Sequence, residues 1–158
     1  MSKSNETNPL NNGLQETQRY WDKRAAESDT DCERVEQSQR TQRMRFEAFV
    51  LYHDLNGKSL LDVGCGAGDL WAHLQTRGIG CDYTGVDISP EMVRRCQQRF
   101  PGVRFENRNI LEWTPDEPFD YVVSIGIHNI RVDGGRELLK VSRAASSSCA
   151  VSPPTSAC

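Results

Sequence analysis

An α/β fold with a Rossmann-like parallel sheet and helices on both faces is predicted for this chain of 158 residues, a length that suits one domain. Three observations predict it. From Ser59 onward, short apolar stretches suited to buried strands alternate with stretches of helical spacing, the order that forms right-handed crossovers. A glycine-rich turn follows the first strand, and an acidic residue, Asp87, ends the second.

Two helices are predicted to precede the sheet. Residues 1–16 are rich in Asn, Ser, Thr and Gln, a composition typical of a disordered leader. Residues 17–56 have helical spacing in two pieces, divided by a polar stretch at 27–31. The second piece should pack on the sheet and end at Asn56-Gly57, with Gly57 as a left-handed C-cap. The residues assigned to its packing face are Met44, Phe46, Phe49, Val50 and His53.

Residues 57–143 are predicted to form the α/β domain that carries the function. Apolar or alternating runs predict strands at 60–63, 83–87, 103–107 and 119–125. Helices are predicted at 69–77, 90–100 and 133–145, and the second of them opens with Ser89 as N-cap and Pro90 at its first position. Residues 144–158 contain no charged side chain and are predicted to be a disordered tail.

Charge and composition argue against several classes of protein. The chain has 19 basic and 22 acidic side chains, without the basic surplus typical of binding to nucleic-acid phosphates. An arginine-rich stretch at 94–108 is better explained as a solvated surface. The sequence has no apolar run long enough for a membrane span and no signal-peptide core. Six cysteines without metal-ligand spacing predict reduced thiols, no metal and a cytoplasmic location.

The turn after the first strand carries the clearest chemical signal. Residues 61–69 are LDVGCGAGD, with glycine at every second position. Glycine is needed where a backbone turns sharply and approaches a ligand closely, and the helix start beyond it presents free N–H groups. Because Asp69 follows at the position of a third glycine, the spacing differs from the G-x-G-x-x-G of nicotinamide oxidoreductases. A glycine-rich turn without a ligand is the alternative.

A carboxylate is predicted at the edge of the sheet where ligands bind. Asp87 ends the second strand, 19 residues after Gly68, at the carboxyl edge of an open α/β sheet. A carboxylate there can accept hydrogen bonds from both hydroxyls of a ribose. Capping of the next helix is the alternative role, for which Ser89 is better placed.

Together these residues resemble the class I S-adenosylmethionine-dependent methyltransferases. The likeness covers about residues 59–135, and the segment YWDKRA at 20–25 is similar to the leader helix of many members. The resemblance implies a Rossmann-like fold, S-adenosyl-L-methionine as cofactor and methyl transfer to an acceptor.

The resemblance implies a cofactor site of four parts. The glycine loop holds the methionine portion, the acidic strand end holds the ribose, the adenine lies against residues after the second and third strands, and the fourth strand ends beside the reacting methyl group. Asn109 replaces an acidic residue that members often have, and its carbonyl oxygen can still accept a hydrogen bond. The residues of the glycine loop part are Asp62, Gly64, Gly66 and Gly68, and the ribose residue is Asp87. The adenine residues are Ile88, Asn109 and Ile110, and those beside the methyl group are Ser124 and Ile125.

Methyl transfer from a sulfonium is an in-line displacement that depends mainly on alignment of donor and acceptor. Alignment in a desolvated site can supply roughly 7–11 kcal/mol of the barrier. A base is needed only where the acceptor must lose a proton, and His128, three residues beyond Ile125, has the chemistry for it. A loop histidine that orients Asn129 or caps the next helix is the alternative.

The acceptor is predicted to be a small molecule, with a protein side chain left open. Residues 124–127 are SIGI, without the Pro-Pro motif that enzymes methylating the amino groups of nucleobases share at this place. The Pro-Cys nucleophile of cytosine carbon-5 enzymes is also missing there. No nucleic-acid acceptor is therefore expected.

Family members usually continue after the fourth strand with a helix, a fifth strand and an antiparallel pair, which this sequence lacks. We therefore expect a truncated chain, with an exposed fourth-strand edge through which it self-associates. Two functions follow from the sequence. The first is an active methyltransferase on a small acceptor, and the alternative is a cofactor-binding remnant with little or no turnover.

Overall fold

The computed structural model describes residues 9–27 and 39–125. Two helices come first, and a strand-helix alternation follows. The helices are α1 (Pro9–Glu27), α2 (Gln39–Tyr52), α3 (Asp69–Thr76) and α4 (Pro90–Arg99). The strands are β1 (Ser59–Val63), β2 (Asp82–Asp87), β3 (Arg104–Asn107) and β4 (Tyr121–Val123).

The four described strands form one parallel sheet in the order β3-β2-β1-β4. Asp62 of β1 stands in register with Gly85 of β2 on one side and with Val123 of β4 on the other. The carboxyl ends of β1 and β2 therefore lie side by side. The Rossmann-like parallel sheet predicted from the alternation is confirmed.

Apolar side chains cover both faces of the sheet. On one face, Leu60, Tyr83 and Phe105 pack with buried side chains of α2, α3 and α4. On the other face, Leu61, Val63 and Val86 are covered by Ile110, Trp113, Phe119 and Val122. The predicted helix at 133–145 and the predicted tail at 144–158 lie outside the described residues.

The first helix begins earlier than predicted. α1 starts at Pro9, so residues 9–16 are helical where a disordered leader was expected. Pro9 occupies the first turn, where its missing N–H and fixed φ cost nothing. The proline is a helix-start signal, but it is only a local preference, and the Asn-rich composition around it favoured the prediction of disorder.

The second helix differs from its prediction at two face residues and at its end. Phe46 is buried and Phe49 and Val50 pack on the core, but Met44 is 62% exposed. His53 is exposed and follows the last helical residue. Met44 precedes Phe46 by two residues, which is about 200° around a helix and explains the error. The helix ends at Tyr52, and Gly57 (φ +68°) lies in the following turn and is not the C-cap.

Candidate cofactor site

The glycine loop after β1 turns through three left-handed residues. The φ angles of Gly64, Gly66 and Gly68 are +74°, +54° and +78°. Residues with side chains rarely adopt this region, so the backbone path itself requires the glycine spacing. The N–H groups of Gly64 and Cys65 donate to the carbonyl oxygen of Val86, at 2.8 and 3.1 Å, and thereby hold the loop against the end of β2.

Gly68 is also needed for packing. A Cβ on this residue would lie 2.9 Å from Cε2 of Phe100 and 3.2 Å from Cζ of Phe105. Both rings belong to the apolar layer between α4 and the sheet. The third glycine thus brings the loop close to this layer, in addition to starting α3.

Asp87 links the glycine loop to the start of α4. Its Oδ2 accepts a hydrogen bond from the N–H of Gly66, and its Oδ1 accepts one from the N–H of Ser89, both at 2.9 Å. The helix cap is Ser89, whose Oγ accepts from the N–H of Met92. Burial raises the pKa of Asp87, and the hydrogen bonds from Ser89 and Gly66 oppose that rise. Each carboxylate oxygen keeps a second lone pair, so the pair of ribose hydroxyls still has acceptors.

Asp62 is buried at the end of β1, beneath the glycine loop. Its Oδ2 accepts a hydrogen bond from the hydroxyl of Tyr83 at 2.7 Å. Burial raises the pKa of Asp62 to about 7, the hydrogen bond from Tyr83 opposes this, and the carboxylates of Asp87 and Asp69 add to it. The charged groups that influence Asp62 are thus acidic, and the region beneath the loop suits a positively charged ligand.

Asp62 should make the folded chain less stable as the pH rises. The folded-state pKa lies above that of the unfolded chain, so its contribution is most favourable below pH 4 and is lost as the pH rises through about 7. A pKa raised by about three units means that the ionised carboxylate costs the fold about 4 kcal/mol at high pH. An asparagine in its place avoids this cost, but its amide makes a weaker hydrogen bond with Tyr83, which takes back about 1 kcal/mol. Asp62→Asn should therefore raise the free energy of unfolding at pH 8 by about 3 kcal/mol.

Urea denaturation at pH 5 and pH 8 measures this effect. The gain from Asp62→Asn should be large at pH 8 and small at pH 5, while the raised pKa of Asp87 leaves some pH dependence in the variant. An equal gain at both values would show that the Asp62 carboxylate does not titrate in this range.

The residues assigned to the adenine lie along the ends of β2 and β3. Ile88, Asn109 and Ile110 are half-buried. The side-chain oxygen of Asn109 accepts a hydrogen bond from the N–H of Leu111 at 3.1 Å, which leaves one lone pair for a ligand. These positions are compatible with the assigned role, which stays a prediction.

At the end of β4, Ser124 is exposed and Ile125 is half-buried against the core. The register of β4 with β1 places Ser124 one residue beyond the level of Asp62. His128 and Asn129 lie outside the described residues.

Two contacts at the site were not anticipated from the sequence. The side chain of Asn107 donates to the carbonyl oxygens of Asp87 and Ile88, both at 2.9 Å, and holds the chain that leaves β2. The hydroxyl of Ser89 donates to the carboxylate of Asp22, which ties α1 to the start of α4. The YWDKRA segment predicted a helix here, but it did not predict the contact of its Asp22 with Ser89.

The arginine-rich stretch is paired with acidic side chains. This supports its interpretation as a solvated surface and leaves little free positive charge for phosphates. The pairs are Arg94 and Arg95 with Glu91, Arg99 with Asp69, Arg104 with Asp82 and Arg108 with Glu106.

Within the described part of the chain, no group of three or more metal-ligating side chains comes together, and no helix is both long and apolar enough to span a bilayer. Cys65, Cys81 and Cys96 are free thiols.

Comparison with known proteins decides the family. A family model described as a methyltransferase domain matches residues 60–145, more than half of the chain. The chain belongs to this methyltransferase family. The predicted likeness to class I S-adenosylmethionine-dependent methyltransferases is thereby confirmed, and so is S-adenosylmethionine as the cofactor of the family.

Relatives and solved structures agree with the family. A Mycobacterium tuberculosis protein with a methyltransferase name is 46% identical over 74 residues, which cover 47% of this chain and 44% of that protein. Trans-aconitate 2-methyltransferase of Escherichia coli is 33% identical over 67 residues, covering 42% and 27%. The matched parts thus span less than half of these relatives.

A solved structure shows the same fold. Magnesium protoporphyrin IX methyltransferase from Synechocystis, crystallised with S-adenosylmethionine, superposes with a TM-score of 0.64 at 18% identity. The superposition covers 94% of this chain and 74% of that chain.

Proposed function

We propose that this chain transfers the methyl group of S-adenosylmethionine to a small-molecule acceptor by in-line displacement. One observation carries the proposal. The hydrogen bond from the N–H of Gly66 to Asp87 brings the glycine loop and the acidic strand end together at the carboxyl edge of the sheet. In a chain of this family, these are the two features that a nucleoside-bearing methyl donor requires.

The charges of the site favour S-adenosylmethionine over a nicotinamide dinucleotide. Asp62 and Asp87 are buried carboxylates, and the charge of Asp87 disfavours ionisation of Asp62, which a cationic ligand would offset. α3 carries Asp69 in its first turn, and this carboxylate is paired with Arg99 at 2.8 Å, so the start of the helix offers a pyrophosphate no unpaired positive side chain from this pair. The fit of the cofactor therefore rests on its positive charge and its ribose diol.

Each part of the site has a chemical task under this proposal. Asp87 binds the ribose hydroxyls, Asp62 attracts the ammonium group, and Ile88, Asn109 and Ile110 flank the adenine. The cofactor supplies an electrophilic methyl group on a positively charged sulfur. Ser124 and Ile125 help to align the acceptor and to exclude water, because alignment supplies most of the rate enhancement in a displacement of this kind.

The acceptor is proposed to be a small molecule with an oxygen or nitrogen nucleophile. The absence of nucleobase-methylation motifs at 124–127 supports this. Trans-aconitate, named in one group of relatives, is a small carboxylic acid, so carboxylic acids belong in the first acceptor panel. Self-association through β4 and a cytoplasmic location stay predictions.

Two measurements test the proposal together. Calorimetry should show saturable binding of S-adenosylhomocysteine and weaker binding of NADH. An assay with radiolabelled methyl donor over a panel of carboxylic acids, alcohols and amines should show transfer to at least one class. Binding without transfer to any acceptor would support the cofactor-binding remnant, and tighter binding of NADH would overturn both functions.

We propose His128 as the base for acceptors that must lose a proton. His128→Asn should lower kcat for alcohol or amine acceptors by roughly 10²-fold, because a positioned base contributes about that much. A carboxylate acceptor is already ionised at neutral pH, so its rate should stay within about twofold. Steady-state kinetics on both classes checks this. Rates equal to those of the parent on both classes of acceptor would show that His128 is not the base.

A further inference from the structure

Tyr83 lies on the same face of the sheet as Asp62. The register of β1 with β2 pairs Leu60 with Tyr83 and Asp62 with Gly85, so both side chains project toward the layer that α3 and α4 cover. The tyrosine hydroxyl reaches the Oδ2 of Asp62 at 2.7 Å. Only 4% of Tyr83 and 3% of Asp62 is exposed, so water does not compete strongly for this hydrogen bond.

The ring of Tyr83 is fixed by its neighbours. Its centroid lies 5.2 Å from that of Trp71 on α3 and 5.7 Å from that of Phe105 on β3. Phe105 can occupy this place because its register partner is Gly85, where a Cβ would lie 2.7 Å from Cδ1 of Phe105. The hydroxyl is therefore held at Asp62 by packing on both sides.

We propose that Tyr83 is a positioning residue for the cofactor: its hydroxyl holds Oδ2 of Asp62 and so presents the charged carboxylate to the ammonium group of the ligand. This inference rests on the proposed function. It goes beyond the glycine loop and the two acidic residues, because Tyr83 is argued to act through its contact with the Asp62 carboxylate. The hydrogen bond favours the ionised carboxylate, which is the form that attracts a cation.

The groups around Asp62 make this contribution depend on pH. Asp69 on α3 and Asp87 on β2 are acidic and disfavour ionisation of Asp62, as its burial does. Cys65 in the loop is a buried thiol whose pKa is raised by its contact with Cys96 and by burial, so it stays neutral. Tyr83 is thus the neighbour that stabilises the charge. Affinity for a cationic ligand should rise with pH through the neutral range as Asp62 ionises. The hydrogen bond from Tyr83 should place the midpoint of this rise at a lower pH than Asp62 would have without it.

Tyr83→Phe removes the hydroxyl and retains the ring. Calorimetry with S-adenosylhomocysteine from pH 6 to pH 9 should show affinity reduced roughly tenfold at pH 7 and a midpoint about one pH unit higher than in the parent. The two proteins should converge at pH 9, where Asp62 is ionised in both. Tyr52→Phe is the matched control, because Tyr52 is 79% exposed on α2, and its affinity should stay within about twofold.

Asp62→Asn separates positioning from a structural role. This variant should bind weakly and should lose the part of the pH dependence that Asp62 causes, while the raised pKa of Asp87 leaves a remainder. Adding Tyr83→Phe to it should change the affinity by less than about twofold at every pH. If Tyr83→Phe lowered the affinity by the same factor at every pH, the inference would be overturned. It would also be overturned if Tyr83→Phe lowered the affinity as much in the Asp62→Asn background as in the parent. The parent decides the question even if Tyr83→Phe folds poorly, since a flat affinity between pH 6 and pH 9 would also overturn it. Failure of the parent to bind at all would instead overturn the proposed function.

Discussion

Replacing Gly66 with valine is expected to lower the affinity for S-adenosylhomocysteine by at least about a thousandfold, or about 4 kcal/mol. Gly66 has a φ of +54°, a region that a β-branched residue rarely adopts. Its N–H also donates to Asp87 at 2.9 Å, so any shift of the loop to relieve strain would separate the two halves of the site. Calorimetry measures the loss of affinity, and far-UV circular dichroism should show that most of the helix signal persists.

Gly78→Val is the matched control for the backbone strain. Gly78 also has a left-handed φ, +66°, and a Cβ there would have no atom within 4 Å. It follows α3 at the end of that helix remote from the glycine loop, so valine should lower stability while the affinity stays within about twofold. Equal affinities of the two variants would remove the glycine loop from the site. A lower thermal stability of Gly66→Val at full affinity would assign Gly66 to the fold alone.

The sequence was most informative where a local rule decides the structure. Gly64, Gly66 and Gly68 all adopt positive φ angles, because a turn this tight between a strand and a helix leaves few other backbone paths. Ser89 and Pro90 start α4 as predicted, since an N-cap and a first-turn proline act within four residues of each other.

The sequence was less informative where the contact partners are far apart in the chain. Ser89 bonds with Asp22, 67 residues away, and no short motif encodes that distance. Tyr83 is an ordinary strand residue by composition, and only the register of β1 with β2 places its hydroxyl on Asp62. For Asp87 the sequence predicts ribose binding, with helix capping as the alternative. The structure assigns the cap to Ser89 and shows the Asp87 carboxylate bonded to the N–H groups of Gly66 and Ser89, a pair of contacts that the sequence did not predict, and ribose binding stays a prediction.

Asp87→Ala is expected to weaken S-adenosylhomocysteine binding by roughly 10²- to 10⁴-fold. Two charge-assisted hydrogen bonds to the ribose are lost, each worth about 1.5–3 kcal/mol. The N–H groups of Gly66 and Ser89 also lose their acceptor, so the loop that should hold the methionine portion is no longer tied to β2. Unfolding should become easier by about 1–3 kcal/mol, because relief of a buried charge offsets part of the cost of two unpaired N–H groups.

Asp120→Ala tests whether these losses belong to the site. Asp120 also accepts hydrogen bonds from a backbone N–H and a hydroxyl, those of Ser59 at 2.9 and 3.0 Å, but it does so at the amino end of β1. Its removal should leave the affinity within about twofold of the parent, because ligands of a parallel sheet bind at the opposite, carboxyl edge. Calorimetry and urea denaturation on both variants separate the two effects. If Asp87→Ala lost only stability, as Asp120→Ala should, Asp87 would be a structural clamp between the loop and α4, and the ribose would need a different acceptor.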